Sequence, residues 1–248
     1  MEKKLRAFLL NILGLENYLS LVSDIYIRLI KIGMMKEKYP ELFFLKKMVK
    51  SGFVCLDIGA NVGYYSVFLS EFAGDKGKVF SVEPVSLFAT VFKRNIKKFA
   101  LNNIILHQTA LGGENKTIQM GTPMIDGVFR HGLTKIVSEN DQTNLHTYDV
   151  QMCVPDELFS SLERFDFMKC DVEGYEVFIM PHFVKTLSKY KPQIQMEISS
   201  EENRKQIFDI LFPLGYSAFK LQNHSLQKMN LDEAIKYNAG DFYFSVEK

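Results

Sequence analysis

The sequence predicts an α/β fold, a mostly parallel sheet with helices on both faces. Three observations carry that expectation. Short apolar runs of strand length recur from residue 53 onward. Segments of helical period separate them. The resulting alternation of strand and helix is what crossover connections between parallel strands require. With 248 residues, 47% apolar and 24% charged, the chain can bury a full core as one large domain with an appendage.

The elements follow in order. Residues 4–48 lack strand signals, and apolar residues such as Tyr18, Leu21, Ile25, Leu29 and Ile32 recur at three- and four-residue steps. We expect two or three helices there, broken near Gly33 and Pro40. Residues 1–50 thus form an N-terminal helical extension that caps the core, and residues 51–248 form the main domain. This extension holds ten Lys/Arg against five Asp/Glu, so a homo-oligomer interface or peripheral membrane contact through basic helices are its competing uses. Next come a strand at FVCLDIG (53–59), a helix from about residue 62, a strand at KVFSVEP (78–84), a helix over 85–100 and a strand at NIILHQTAL (103–111).

Residues 112–154 interrupt the alternation. NKTIQMG and HTYDVQMCV read as strands, with a polar, glycine-bearing stretch between them, and excursions of this length are usually functional or mobile. The alternation resumes at FDFMKCD (165–171), a helix near 174–188, PQIQMEI (192–198) and a helix near 201–213. YSAFKL (216–221) and DFYFSVE (241–247) close the chain as strands with no clear helix between them, suited to antiparallel pairing at a sheet edge.

Composition excludes several classes. A net charge of +1 argues against a dedicated nucleic-acid binder. Cys55, Cys153 and Cys170 sit in apolar, strand-like runs without a CxxC pair, which reads as buried thiols in a reducing, cytoplasmic setting. No apolar stretch reaches the about 18 residues that would span a bilayer. MEKKLRAFLL is basic and then apolar, but no small-residue cleavage site follows, so it does not read as a signal peptide.

The chemistry concentrates at strand ends. In an open parallel sheet, ligands bind beyond the carboxyl ends of the strands, and VCLDIGANVG puts Asp57 at such an end. Gly59 permits a sharp turn and close approach, and Gly63 falls at the start of the next helix, whose first N–H groups are unpaired. A dinucleotide fingerprint would need glycines at positions 59, 61 and 64; Asn61 and Tyr64 stand at two of them. An acid with this loop suits a ligand with an ammonium group and no phosphate, such as S-adenosylmethionine. Glu83 ends the second strand, where a carboxylate can accept both hydroxyls of a ribose. Gln108 and Ala110, at the end of the third, are placed to contact an adenine, whereas His107 reads as an ordinary strand residue.

FDFMKCDVEGYE puts Asp171 where the fourth strand runs out, with Glu173 and Glu176 three residues apart on what reads as one helix face. Asp171 can accept a proton from a substrate hydroxyl or hold a divalent cation that acidifies it. Lys169 shares its strand face as an ion-pair partner or substrate contact. Glu197 extends the row of carboxylates, and with Asp171 it is the candidate metal pair. His131, in the polar excursion, is the alternative base. Tyr64 and Tyr65 are candidates for an acceptor pocket, with core packing at least as good an account of both.

DIGANVG, VEP and DVEGYE in this order, followed by PQIQMEI, resemble the FkbM family of S-adenosylmethionine-dependent methyltransferases over residues 50–247. DIGANxG is shared by many methyltransferases, and DVEGxE after a lysine-bearing strand is far more specific. The resemblance implies a class I, Rossmann-like methyltransferase fold with seven strands, the last antiparallel, and O-methylation of a sugar, glycolipid or other small metabolite. It implies that Asp57, Gly59, Asn61 and Gly63 hold the methionine end of the cofactor, that Glu83 binds ribose, and that Asp171 and Glu173 border the transfer site. Some related sugar methyltransferases use Mg²⁺; the sequence offers carboxylates but no His pair for it. The rival functions are a non-catalytic S-adenosylmethionine-binding module, a nicotinamide oxidoreductase, which the missing glycines disfavour, and a methyltransferase acting on a macromolecule.

Overall fold

A computed structural model describes residues 2–125, 128–129, 133–137 and 145–246. Two helices come first, α1 (Glu2–Lys31) and α2 (Pro40–Met48). α1 is interrupted at Gly14, whose φ of 71° is not helical, and α2 begins on Pro40, which is preset for a first helical turn. Both pack into the core of the main sheet: Ile27, Leu42, Leu45 and Met48 are buried together with Cys55, Val79, Phe167 and Tyr243.

The first half of the sheet alternates as expected: β1 (Val54–Ile58), α3 (Tyr64–Ala73), β2 (Lys78–Val82), α4 (Ser86–Lys98) and β3 (Ile104–His107). β1 is buried from its second residue onward because helices cover both of its faces. The excursion after β3 folds as a separate small sheet of β4 (Ala110–Leu111), β5 (Lys116–Ile125), β6 (Val128–Phe129), β7 (Lys135–Ile136) and β8 (Leu145–Cys153), with β5 and β8 paired antiparallel over eight positions. Two of these strands match the expected ones.

After the short helix α5 (Pro155–Leu158) and β9 (Phe167–Cys170), the single helix expected near 174–188 is three pieces: α6 (Glu176–Ile179), a 3-10 turn over Met180–His182, and α7 (Val184–Tyr190). Pro181 lies in the middle piece and cannot donate the N–H that a continuous helix would need. The rest is β10 (Gln193–Met196), α8 (Glu201–Leu211), β11 (Tyr216–Gln222), β12 (Ser225–Lys228), α9 (Leu231–Lys236) and β13 (Phe242–Val246).

Among the described residues the main sheet has eight strands in the order β12-β11-β13-β10-β9-β1-β2-β3. The seven expected strands are present, and β12 adds an eighth. β13 is antiparallel to both neighbours, but it is inserted between β10 and β11 and is not an edge; β12 takes the edge. The segment between the last two expected strands also contains α9, capped by the Asn230 side chain accepting from the Glu233 N–H. The chain order reverses direction between β1 and β9, so the crevice above that pair is the ligand position for this class of sheet. Cys55 and Cys170 are buried, whereas Cys153 is half-buried.

Candidate active site

The loop after β1 has left-handed backbone at every second residue: φ is 83° at Gly59, 50° at Asn61 and 95° at Gly63. Glycine adopts this region freely, and asparagine tolerates it better than most residues. A Cβ on Gly59 would lie 1.9 Å from the Asp171 carbonyl oxygen, so the absent side chain admits the end of β9 and not only a ligand. At Gly63 a Cβ would lie 2.8 Å from the Phe92 ring of α4. Gly63 occupies the N-cap of α3 and has no side chain to cap it; the Asp57 carboxylate takes the Ser66 amide, which leaves those of Tyr64 and Tyr65. These two amides are donors without an intrahelical acceptor.

Glu83 is 5% exposed and holds the loop from the end of β2. Its Oε2 accepts from the Asn61 N–H at 2.8 Å and its Oε1 from the Val85 N–H at 2.9 Å. Burial pushes its pKa up to about 7 against these two hydrogen bonds. Asp57 faces α3, where the Ser66 hydroxyl donates to its Oδ2 and in turn meets the Ser81 hydroxyl at 2.8 Å. Burial raises the Asp57 pKa to about 6, with Ser66 and Lys169 opposing the shift.

Strand register carries this polar row onward. Asp57 is level with Lys169 on β9, and Lys169 is level with Gln195 on β10. The Lys169 side chain is 3% exposed, with its Nζ 3.0 Å from Asp241 Oδ2, 3.4 Å from Asp171 Oδ2 and 5.0 Å from the Tyr65 ring centre. Burial opposes its charge, but Asp241 and Asp171 outweigh that and hold its pKa well above the usual lysine value. Gln195 Nε2 donates to Asp241 at 2.6 Å and to the Tyr65 hydroxyl at 3.3 Å.

A cavity of about 250 Å³ opens over these groups. Asp57, Gly59, Asn61 and Glu83 form one side of it, and Lys169, Asp171 and Glu173 the other. Tyr64 and Tyr65 also line it, as do Ile30, Tyr39 and Leu42 from the N-terminal helices. A second cavity of about 330 Å³ shares Gly59, Pro84 and Glu173 with the first and is lined by Thr109, Ala110, Ile136 and Tyr175.

Residues 57–229 match the family described as the methyltransferase FkbM domain. The chain belongs to the FkbM methyltransferase family. Among curated proteins, it is similar to the probable cobalt-precorrin-6B C(15)-methyltransferase (decarboxylating) of Sulfurisphaera tokodaii, 29% identical over 45% of this chain and 56% of the relative. The protein of the same description from Sulfolobus acidocaldarius is 35% identical over 32% of this chain and 41% of its own length. The chain thus spans about half the length of the curated relatives it matches. A solved FkbM methyltransferase from Methylobacillus flagellatus aligns at TM-score 0.48 and 15% identity, over 78% of this chain and 44% of that one.

In this FkbM-family chain, nine of the expected site residues, Tyr64 and Tyr65 among them, share one cavity. Ala110 lines the adjoining one. Gln108 is exposed and lines neither; its Oε1 is 3.5 Å from Lys93 Nζ, and of the residues after β3 it is Thr109 and Ala110 that reach the second cavity. Glu173 and Glu176 do not share a helix face. Glu173 sits in a turn with φ of 55°, and α6 begins only at Glu176, whose Oε1 accepts from the N–H groups of Val172 and Gly174. His131 lies outside the described residues.

The candidate metal pair does not fit a divalent cation. Glu197 is exposed like Glu173 and, with its pKa raised to about 7 by partial burial and then Asp171, stands in the same acidic field, but it lines neither cavity. Asp171 already faces the Lys169 ammonium, which would repel a dication. Among the described residues no group of three or more His, Cys, Asp or Glu side chains is arranged to hold a metal ion. The donor set does fit S-adenosylmethionine: acids for an ammonium and for hydroxyls, and the Tyr64 and Tyr65 amides at the start of α3. Sequence reasoning missed Asp241 and Gln195. Asp241 is 72 residues from Lys169 and reaches it only because β13 runs antiparallel, bringing its start to the carboxyl ends of β9 and β10.

Proposed function

We propose that this chain is an S-adenosylmethionine-dependent methyltransferase acting on a hydroxyl of a sugar, glycolipid or other small metabolite. The observation that carries the reading is one cavity with Asp57 and Glu83 on one side and Asp171 and Glu173 on the other. The cofactor, when bound, supplies an electrophilic methyl group on a sulfonium. Asp57 and the first amides of α3 would hold the amino-acid end of that ligand. Glu83 spends one lone pair of each oxygen on the loop and keeps acceptor capacity for ribose hydroxyls.

Asp171 and Glu173 would divide the acceptor chemistry. Lys169 fixes the Asp171 carboxylate from below, which suits Asp171 to orienting the acceptor hydroxyl. Partial burial, then repulsion from Asp171 and Glu176, raises the Glu173 pKa to about 7, although more than a third of the residue stays exposed at the cavity wall. A base poised near the working pH is the more effective proton acceptor, so we assign the proton to a Glu173 carboxylate oxygen. Tyr39, Leu42 and Ile30 would cover the acceptor and exclude water, leaving positioning as the main source of rate.

The test has two arms. Calorimetry with S-adenosylhomocysteine and with NAD separates the ligand classes: tight NAD binding with no response to S-adenosylhomocysteine overturns the reading. A tritiated-methyl transfer screen over sugars, glycolipids and phenols, run with and without Mg²⁺, then identifies the acceptor. Transfer to none of them by a protein that binds the cofactor leaves a binding module.

A further inference from the structure

α1 is apolar on two sides. Its inner side is spent in packing: Ile27 and Ile30 are buried. A helix docked on a soluble core is expected to be polar on its outer side. Instead Leu21, Ile25 and Ile32 follow one another at four- and seven-residue steps on the solvent side, with Ile32 70% exposed. Before the break at Gly14, Phe8 and Ile12 repeat the pattern at 60% and 64% exposure.

Cations border this stripe. α4 packs against α1, with Asn95 bonded to Ser23 and Arg94 to Asn17 and, as an ion pair, to Glu16. Asp24, in the seam between the helices, takes both Arg28 and Lys98. Those side chains, with Arg94, remain 43–58% exposed beyond their partners. α4 contributes Lys93, Arg94, Lys97 and Lys98 and no acid. Together α1 and α4 hold nine Lys/Arg against three Asp/Glu in a chain whose total is only +1. Among the described residues no helix is long and apolar enough to cross a membrane. The pattern is that of a helix lying on a surface, with apolar side chains for the acyl boundary and cations for the headgroups.

We propose that the α1/α4 face docks on an anionic lipid bilayer. Exposed apolar residues flanked by cations match such a surface in both chemistry and charge. α1 also supplies Ile30 to the cavity wall, so docking would set the acceptor cavity beside the bilayer, where an amphiphilic acceptor resides.

The experiment is co-sedimentation of the full chain with phosphatidylglycerol vesicles and with phosphatidylcholine vesicles at low and high salt. The chain is expected to bind phosphatidylglycerol vesicles and to release at high salt. Ile25→Glu/Ile32→Glu should weaken binding at least about tenfold, and Lys93→Glu/Lys97→Glu should do so at low salt. Both variants should keep wild-type thermal stability and S-adenosylhomocysteine affinity, because none of the four residues lines the cavity. No binding to phosphatidylglycerol, or equal binding by wild type and both variants, overturns the proposal. So does light scattering that shows a wild-type dimer which Ile25→Glu/Ile32→Glu dissolves, since a second copy of the chain would then cover the face.

Discussion

Asp241→Asn tests the buried charge cluster that joins β9, β10 and β13. In the wild type the Lys169 ammonium is 3% exposed and lies between Asp241, 13% exposed, and Asp171, 32% exposed. Removing one partner of a fully buried pair destabilises by about 3–5 kcal/mol, because the other charge stays buried without compensation. Here Asp171 remains 3.4 Å away, and an asparagine oxygen can still accept from Lys169 or Gln195. The loss should therefore be smaller, about 2 kcal/mol, and a chain of this size should then melt about 4–8 °C lower. The assay is urea unfolding of wild type, Asp241→Asn, Lys169→Met and the double variant. Lys169→Met should also destabilise, since it leaves Asp171 and Asp241 facing each other across an uncharged side chain. The double variant should be less damaged than the two single losses added together, by about 1–3 kcal/mol. A change below about 0.5 kcal/mol for Asp241→Asn, or strict additivity in the double variant, would refute the reasoning.

Three further outcomes are expected. Glu173→Gln should lower kcat by about 10²–10⁴ while S-adenosylhomocysteine affinity in calorimetry is retained, and wild-type kcat/KM should rise with pH through about 7 as Glu173 loses its proton. A pH-independent rate in the wild type would remove Glu173 from that role. Gly59→Ala should destabilise by about 3 kcal/mol or more, since its φ of 83° and the Asp171 carbonyl 1.9 Å from the new Cβ act together; a Tm equal to wild type contradicts this. Glu83 has a folded pKa of about 7 against an ordinary 4.5, so the folded chain binds its proton more tightly and its contribution to stability falls as pH rises from 4.5 to 7. Urea midpoints of wild type at pH 5 and pH 8 should show that slope, and Glu83→Gln should make it shallower, leaving the share of Asp57, Glu173 and Glu197, whose pKa values are raised in the same direction.

Much of the fold was legible because the relevant signals are local. The apolar runs at 54–58, 78–82 and 167–170 are short, and crossover helices leave them few topologies. The helix near 174–188 was misjudged because Pro181 outweighs the surrounding apolar period. α9 was missed because six residues are too few to display a helical period, and its Asn230 cap was the available signal. In the candidate site, Asp57, Glu83, Lys169, Asp171 and Glu173 were readable as polar residues standing where apolar strands end. The same rule puts Gln108 at a strand end but does not fix its direction, and its side chain is exposed outside both cavities, because a side chain there can point to solvent as readily as to the crevice.

By itself the sequence determined the α/β class, the strand ends that carry acids, and a loop whose Gly59, Asn61 and Gly63 accept left-handed backbone. Each of these depends on residues a few positions apart. Only the tertiary structure decided that Asp241 and Gln195 complete the Lys169 cluster, that Gly59 makes room for the Asp171 carbonyl, and that Ile30, Tyr39 and Leu42 wall the cavity. These contacts join segments tens of residues apart. They arise from strand order and helix docking, which minimise exposed apolar surface over the whole chain and so leave no mark in any single window of it.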